Sequence, residues 1–224
     1  MRSKEFARRL SYWFRAHARD FAWRKTKDPY QILVAEMMLQ KTTSKQVSEC
    51  FRRFIEKYPT TESLAKATIS EIEEMIKPLG LEHVRAYRFK KWAEAVVDDH
   101  GGKIPKDRNE LMQLAGVGNY IANSVLILAF DVDLPLLDTN AVRVLNRVLE
   151  IKSSKASATD DKELWRKVGQ IIPKGKTREF NLGLIDFGAL VCTARKPKCG
   201  ICPMTDLCLF YASCVKPRPR FPPI

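Results

Sequence analysis

No stretch of this chain is long and apolar enough to span a membrane. The longest uncharged apolar run, Ser124 to Phe130, falls far short of the roughly 20 residues that a bilayer demands. The N-terminal MRSKEFARRL carries basic residues but neither a continuous apolar core nor a small-residue cleavage site. No secretory signal is read there, and a protein that stays in the cytoplasm is expected. Alternating runs of β-branched residues are scarce, so a sheet is not expected, and internal repeats are absent. Negative charge is also short: 26 Asp and Glu stand against 39 Lys and Arg, a formal net charge of +13. A polyanion is the natural partner of such a chain, because neutralising phosphates releases counterions. The competing reading is basic charge kept only for solubility.

What is present has the period of a helix. Phe6, Leu10, Trp13 and Phe14, then Val47, Phe51, Phe54 and Ile55, then Ile72, Met75 and Ile76 recur at helical spacing. Turn signals at Lys77-Pro78-Leu79-Gly80, Gly101-Gly102 and Pro173-Lys174-Gly175 separate the segments, and an all-α protein of about ten helices is expected. The chain from 23 to 135 should form one lobe. Residues 1–22 with 136–215 should form another, followed by a basic proline-rich tail at 216–224 that is extended or disordered.

Four of the six cysteines, Cys192, Cys199, Cys202 and Cys208, follow a C-x6-C-x2-C-x5-C spacing. Disulfides fit poorly in a chain with no sign of an oxidising compartment. Zinc prefers two close cysteine pairs, and only one is present; an iron–sulfur cube takes one thiolate at each corner and tolerates unequal spacing. On spacing alone both metal readings stay open. A redox role for Cys199-Gly200-Ile201-Cys202 alone leaves Cys192 and Cys208 unexplained. Cys50 and Cys214 are read as bystanders. Nearby Arg195, Lys196 and Lys198 would offset thiolate charge or meet phosphate.

Gly116-Val117-Gly118-Asn119 lies between two helical runs, at the centre of a hairpin spanning about residues 110–125. Glycines there let backbone amides of the turn and of the next helix point at a phosphate; the plainer reading is an ordinary helix–helix turn. Asp138 precedes an amphipathic helix with Val142 and Leu145 on one face, and an aspartate N-cap needs no catalytic reason. Glu36 sits in the apolar run Ile32 to Leu39. If it is buried its pKa rises and it becomes a plausible general acid; otherwise it is an exposed position on a half-buried helix.

The order LAGVGNYIA, LLDTNAVRVLNR and then the four cysteines resembles the endonuclease III and MutY branch of the helix-hairpin-helix DNA glycosylases, as does RDFAWRKTKDPYQILVAEMMLQKTT upstream. The resemblance covers nearly the whole chain. It implies a two-lobed all-α fold, a six-helix barrel lobe and a smaller lobe bearing a structural [4Fe–4S] cluster, with the active-site cleft between them. Into that cleft a nucleotide is flipped from double-stranded DNA. By the same resemblance Asp138 supports the oxocarbenium-like transition state or orients water. Gly116, Gly118 and Asn119 meet phosphate, Leu81 is a wedge filling the vacated stack, and Gln40, followed by Lys41, is the second filling residue.

Bifunctional relatives carry a lysine where this chain has Tyr120, so an enzyme without lyase activity is implied, with Tyr120 lining the base pocket. Tyr120, ARKPKCGICPMTDLC and FNLGLIDFGALVC resemble the archaeal Mig group, which excises thymine or uracil opposite guanine. Removal of adenine, as in MutY proteins, or of another damaged base is the alternative. A non-catalytic module sensing mismatches is a third reading, and it predicts that Asp138→Asn changes nothing. The expected setting is a monomer on the nucleoid, with an abasic-site endonuclease acting downstream.

Overall fold

The computed structural model describes residues 2–215; the tail expected at 216–224 lies outside them. Helices account for nearly all regular structure, and no strand occurs among the described residues. The chain divides into two compact units. One runs from Asp20 to Val132, and the other combines the N-terminal residues through Arg19 with the chain from Asp133 onward. These divisions replace the ones expected after residues 22 and 135, and polar contacts explain why. The buried carboxylate of Asp186 accepts from both the backbone N and the Nε of Arg19, at 2.9 and 2.6 Å. Asn181 ties down the carbonyl of Leu134 and the amide of Leu136.

The unit from Asp20 to Val132 holds α2 (Pro29–Leu39), α3 (Ser44–Lys57), α4 (Thr61–Lys66), α5 (Ile69–Ile76), α6 (Glu82–His100), α7 (Arg108–Gln113) and α8 (Asn119–Phe130). Seven helices stand among its described residues. Thr68 separates α4 from α5: its hydroxyl caps the Glu71 amide, Glu71 caps back, and a new helix begins directly after the extended Ala67 that ends α4. Helix α2 starts on an Asp28 cap with Pro29 at its first position. Every residue from Ile32 to Met38 is buried, so α2 is a central helix enclosed on all sides, and α8 is buried from Ile121 to Leu128. Phe54, Phe89 and Trp92 complete the core with no exposed surface, each worth about 1.5–3 kcal/mol by burial.

In the other unit α1 (Arg2–His17) and α9 (Thr139–Leu149) pack on α11 (Thr177–Leu190), with α10 (Lys162–Gly169) alongside. Phe6, Leu10, Trp13, Val144, Phe180 and Phe187 form its core, and Trp13 meets Phe187 edge to face. Gly188 lets α11 approach α9 closely, since a Cβ there would lie 2.7 Å from the Cβ of Asn140. Among the described residues no helix is long and apolar enough to cross a membrane.

Candidate functional site

In the unit from Asp20 to Val132 the hairpin joins α7 to α8. Gly116 adopts φ +85°, which favours glycine, and a Cβ there would sit 2.8 Å from Arg88 Cδ and 2.9 Å from Met37 Cε, so both side chains would have to shift. Gly118 caps α8 without a side chain and has nothing within 4 Å of its Cβ position. Gly118 thus lends no side-chain cap to the first turn of α8, the arrangement that suits an anion. Asn119 Oδ1 accepts from Arg108 at 2.6 Å and Arg108 also donates to Asn123, which fixes the hairpin from below. Tyr120 follows in the same turn, half-buried.

Glu36 is 7% exposed, so the buried alternative holds. The hydroxyl of Ser124 on α8 donates to its Oε1 at 2.6 Å. Gln40 ends α2. Its Nε2 donates to the Gly116 carbonyl at 2.9 Å, and Arg88 donates to its Oε1 at 3.3 Å. In this conformation the amide braces the hairpin. Lys41 next to it is exposed at φ 55°. Leu81 precedes α6, also at φ 55°, and is 58% exposed. A large apolar residue held outward in the left-handed region is uncommon and concentrates at functional loops.

In the other unit Asp138 caps α9. Its Oδ1 accepts from the Ala141 amide at 2.7 Å, and its Oδ2 accepts from Asn140 Nδ2 at 2.8 Å. Both oxygens are oriented, at the positive end of a helix. Asn140 is held in turn by Arg143, whose Nη2 donates to Asn140 Oδ1 and to the Gly188 carbonyl and whose Nε donates to the Cys192 carbonyl. Sequence reasoning missed Asn140, Arg143 and Ser124. Asn140 was open to discovery, as an amide two residues after an aspartate cap.

The four cysteines line one pocket together with Arg147, Phe210 and Tyr211. Three sulfurs accept N–H groups: Cys192 from Arg147 at 3.5 Å, Cys202 from the Met204 amide and Cys208 from the Tyr211 amide, both at 3.4 Å. Such bonds favour thiolates. Burial first, then repulsion from the other three sulfurs, pushes Cys202 up to about 11, a cost that a cationic centre reverses. Among the described residues no three His, Cys, Asp or Glu side chains gather tightly enough for a single ion. Four cysteine sulfurs lining one pocket supply the one thiolate per corner that an iron–sulfur cube takes. Cys50 lies in the other unit as a buried thiol, and Cys214 is exposed. Arg195, Lys196 and Lys198 are exposed beside the pocket.

A family model described as an HhH-GPD superfamily base excision DNA repair protein matches residues 34–170. Residues 192–208 match the iron–sulfur binding domain of endonuclease III, so the zinc alternative falls and the cofactor is a [4Fe–4S] cluster. A thymine-DNA glycosylase of Aeropyrum pernix is 42% identical over 213 residues, covering 94% of this chain and 96% of the relative. A thymine/uracil-DNA glycosylase of Pyrobaculum aerophilum is 45% identical over 203 residues, covering 89% and 88%. The solved structure of a thermostable thymine-DNA glycosylase superposes with a TM-score of 0.87 at 38% identity, over 95% of this chain and 98% of that one. The chain belongs to the HhH-GPD superfamily of base excision DNA repair proteins.

Proposed function

We propose that this protein is a monofunctional DNA glycosylase that removes thymine or uracil mispaired with guanine. The observation carrying this reading is the carboxylate of Asp138, fixed by Ala141 and Asn140 at a helix N-terminus; support also comes from thymine and uracil glycosylases aligned along nearly their whole length. The C1′–N1 bond breaks heterolytically, its electron pair leaving with the base. Asp138 stabilises the positive charge that develops on the sugar, and water adds to C1′ and gives up a proton. Glu36, with Oε1 engaged by Ser124, is the candidate proton source toward the departing base.

The first turn of α8, Asn119-Tyr120-Ile121-Ala122, offers no amine to form an imine with the sugar, so the abasic product stays intact. Tyr120 lines the base pocket. Gly116, Gly118 and Asn119 hold phosphate, and Leu81, with Gln40 and Lys41, meets the vacated stack and the opposite base. Cys192, Cys199, Cys202 and Cys208 would supply the thiolates that hold the cluster, whose contribution would be structural. A monomer acts, and an abasic-site endonuclease consumes the product.

The test is incubation with labelled duplexes bearing one G·T, G·U, A·8-oxoguanine or normal pair, read with and without hot alkali. Product on G·T and G·U that appears only after alkali is expected. Breaks without alkali overturn the monofunctional reading, and cleavage confined to A·8-oxoguanine moves the protein to adenine removal.

A further inference from the structure

Four described residues other than glycine have positive φ. Asp131 and Glu150 end helices, where this conformation is routine. Lys41 follows α2, whereas Leu81 is the N-cap of α6, a position ordinarily extended. One buried side chain holds both loops. Arg85, 4% exposed in the first turns of α6, donates through Nη1 to the carbonyls of Met37 and Met38, at 2.6 and 3.0 Å. Its Nη2 donates to the Gln40 carbonyl and to Thr42 Oγ1, each at 3.0 Å, and its Nε reaches the Gly80 carbonyl at 3.4 Å. The Thr42 hydroxyl also lies 3.3 Å from the Leu79 carbonyl, which joins the two loops directly.

Among the described residues every partner of this guanidinium is a neutral oxygen. Its charge is balanced by the negative end of α2 instead of by a carboxylate. A simple helix cap would need only the Met37 and Met38 carbonyls. The remaining bonds go to the backbones flanking Lys41 and Leu81, and only a planar, five-donor group can reach all of these acceptors at once.

We propose that Arg85 is a positioning residue that fixes the loop after α2 and the loop before α6 as one rigid platform for Lys41 and Leu81. This rests on the reading that those two residues meet a distorted duplex. A wedge ordered in advance pays no ordering entropy on entry, so the platform sharpens the preference for a lesion over intact DNA, while phosphate contacts set affinity for any duplex.

The test compares the wild type with Arg85→Lys and Thr42→Val, each carrying the cluster. Amide hydrogen exchange is read at residues 40–43 and 79–82, and binding is measured to a matched duplex and to one with an abasic-site analogue opposite guanine. Faster exchange in both loops with α8 unchanged is expected. Affinity for matched duplex should stay within about twofold, while preference for the abasic analogue falls on the order of tenfold. Folded variants that keep both the loop protection and the preference would overturn the proposal. If Arg85→Lys does not fold, Thr42→Val decides, since it removes one shared hydroxyl and leaves the guanidinium in place. A wild type with no preference for the abasic analogue would sink the reading of Leu81. Exchange rates need no DNA and would still judge the platform.

Discussion

Replacing Asp138 by asparagine alters the charge and hydrogen bonding of one side chain and separates the two roles of that carboxylate. Asparagine caps a helix as well as aspartate, so the Ala141 bond survives. The new amide nitrogen then faces Asn140 Nδ2 donor to donor, where Oδ2 accepted at 2.8 Å. The lost hydrogen bond costs about 1 kcal/mol, and removing the charge at the helix N-terminus costs about 0.3–1 kcal/mol more. A total of about 1–2 kcal/mol corresponds to a fall in Tm of roughly 2–8 °C for a chain of this size. A domain stable by about 5–15 kcal/mol stays almost wholly folded after that loss, so unfolding cannot account for a slow enzyme at 25 °C. The chemistry should suffer far more: losing a preorganised charge-stabilising group costs on the order of 10²- to 10³-fold in rate. Single-turnover alkali-developed cleavage of a G·T duplex, anisotropy binding to the same duplex and a thermal melt measure the three quantities. A rate within about threefold of wild type would refute the catalytic assignment and revive the non-catalytic reading. Lost binding at unchanged Tm would instead make Asp138 a DNA-holding residue.

Tyr120→Lys places an amine in the first turn of α8; borohydride should then trap a covalent complex with DNA, and strand breaks should appear without alkali. Gly116→Ala meets Arg88 and Met37 below 3.0 Å and keeps a strained φ, so a loss of about 1–3 kcal/mol in urea melts is expected, with weakened binding to every duplex alike. Cys202→Ser should abolish the yellow-brown colour and the absorption near roughly 400 nm, and a folded, coloured variant would reject this ligand. Asp161 is held well below the usual aspartate range, first by the Ser154 amide, then by the Leu164 amide and the Ser153 and Ser154 hydroxyls. Because its folded value lies below the unfolded one, its stabilisation is present above the ordinary value of about 3.9 and fades as pH falls below it. Asp161→Asn should therefore narrow the gap between urea melts at neutral pH and near pH 3.

The parts legible in the sequence were those whose cause is local. The cysteines, Gly116 and Asp138 announce themselves within a few residues, because a metal loop, a left-handed turn and a helix cap are each built from neighbours. The apolar run around Glu36 left burial and exposure both open, and its partner Ser124 lies on another helix with no neighbouring cue. The separation of α4 from α5 rests on one capping box after one extended alanine, and the Thr68-x-x-Glu71 pattern behind it is likewise local. Arg85 and Arg143 were invisible for a stronger reason. They donate mainly to backbone carbonyls, which every residue possesses, so no particular residue type marks the acceptors.

Those arginines also change what the net charge of +13 means. Read from composition, the excess cation belongs to a polyanionic partner. In the fold, Arg85 is spent on the end of α2, Arg143 on the Cys192 and Gly188 carbonyls, and Arg147 on the Thr193 and Ala194 carbonyls. A guanidinium bound to carbonyl oxygens stays protonated and is offset only by partial charges, whereas a carboxylate partner cancels a full unit, so Arg85 and Arg143 stiffen loops while still contributing to the positive field that draws DNA. Arg143 shows how closely the two roles lie. The group that holds the carbonyl of Cys192 also holds Asn140 against Asp138, so order in the cysteine segment and orientation of the carboxylate depend on the same few hydrogen bonds.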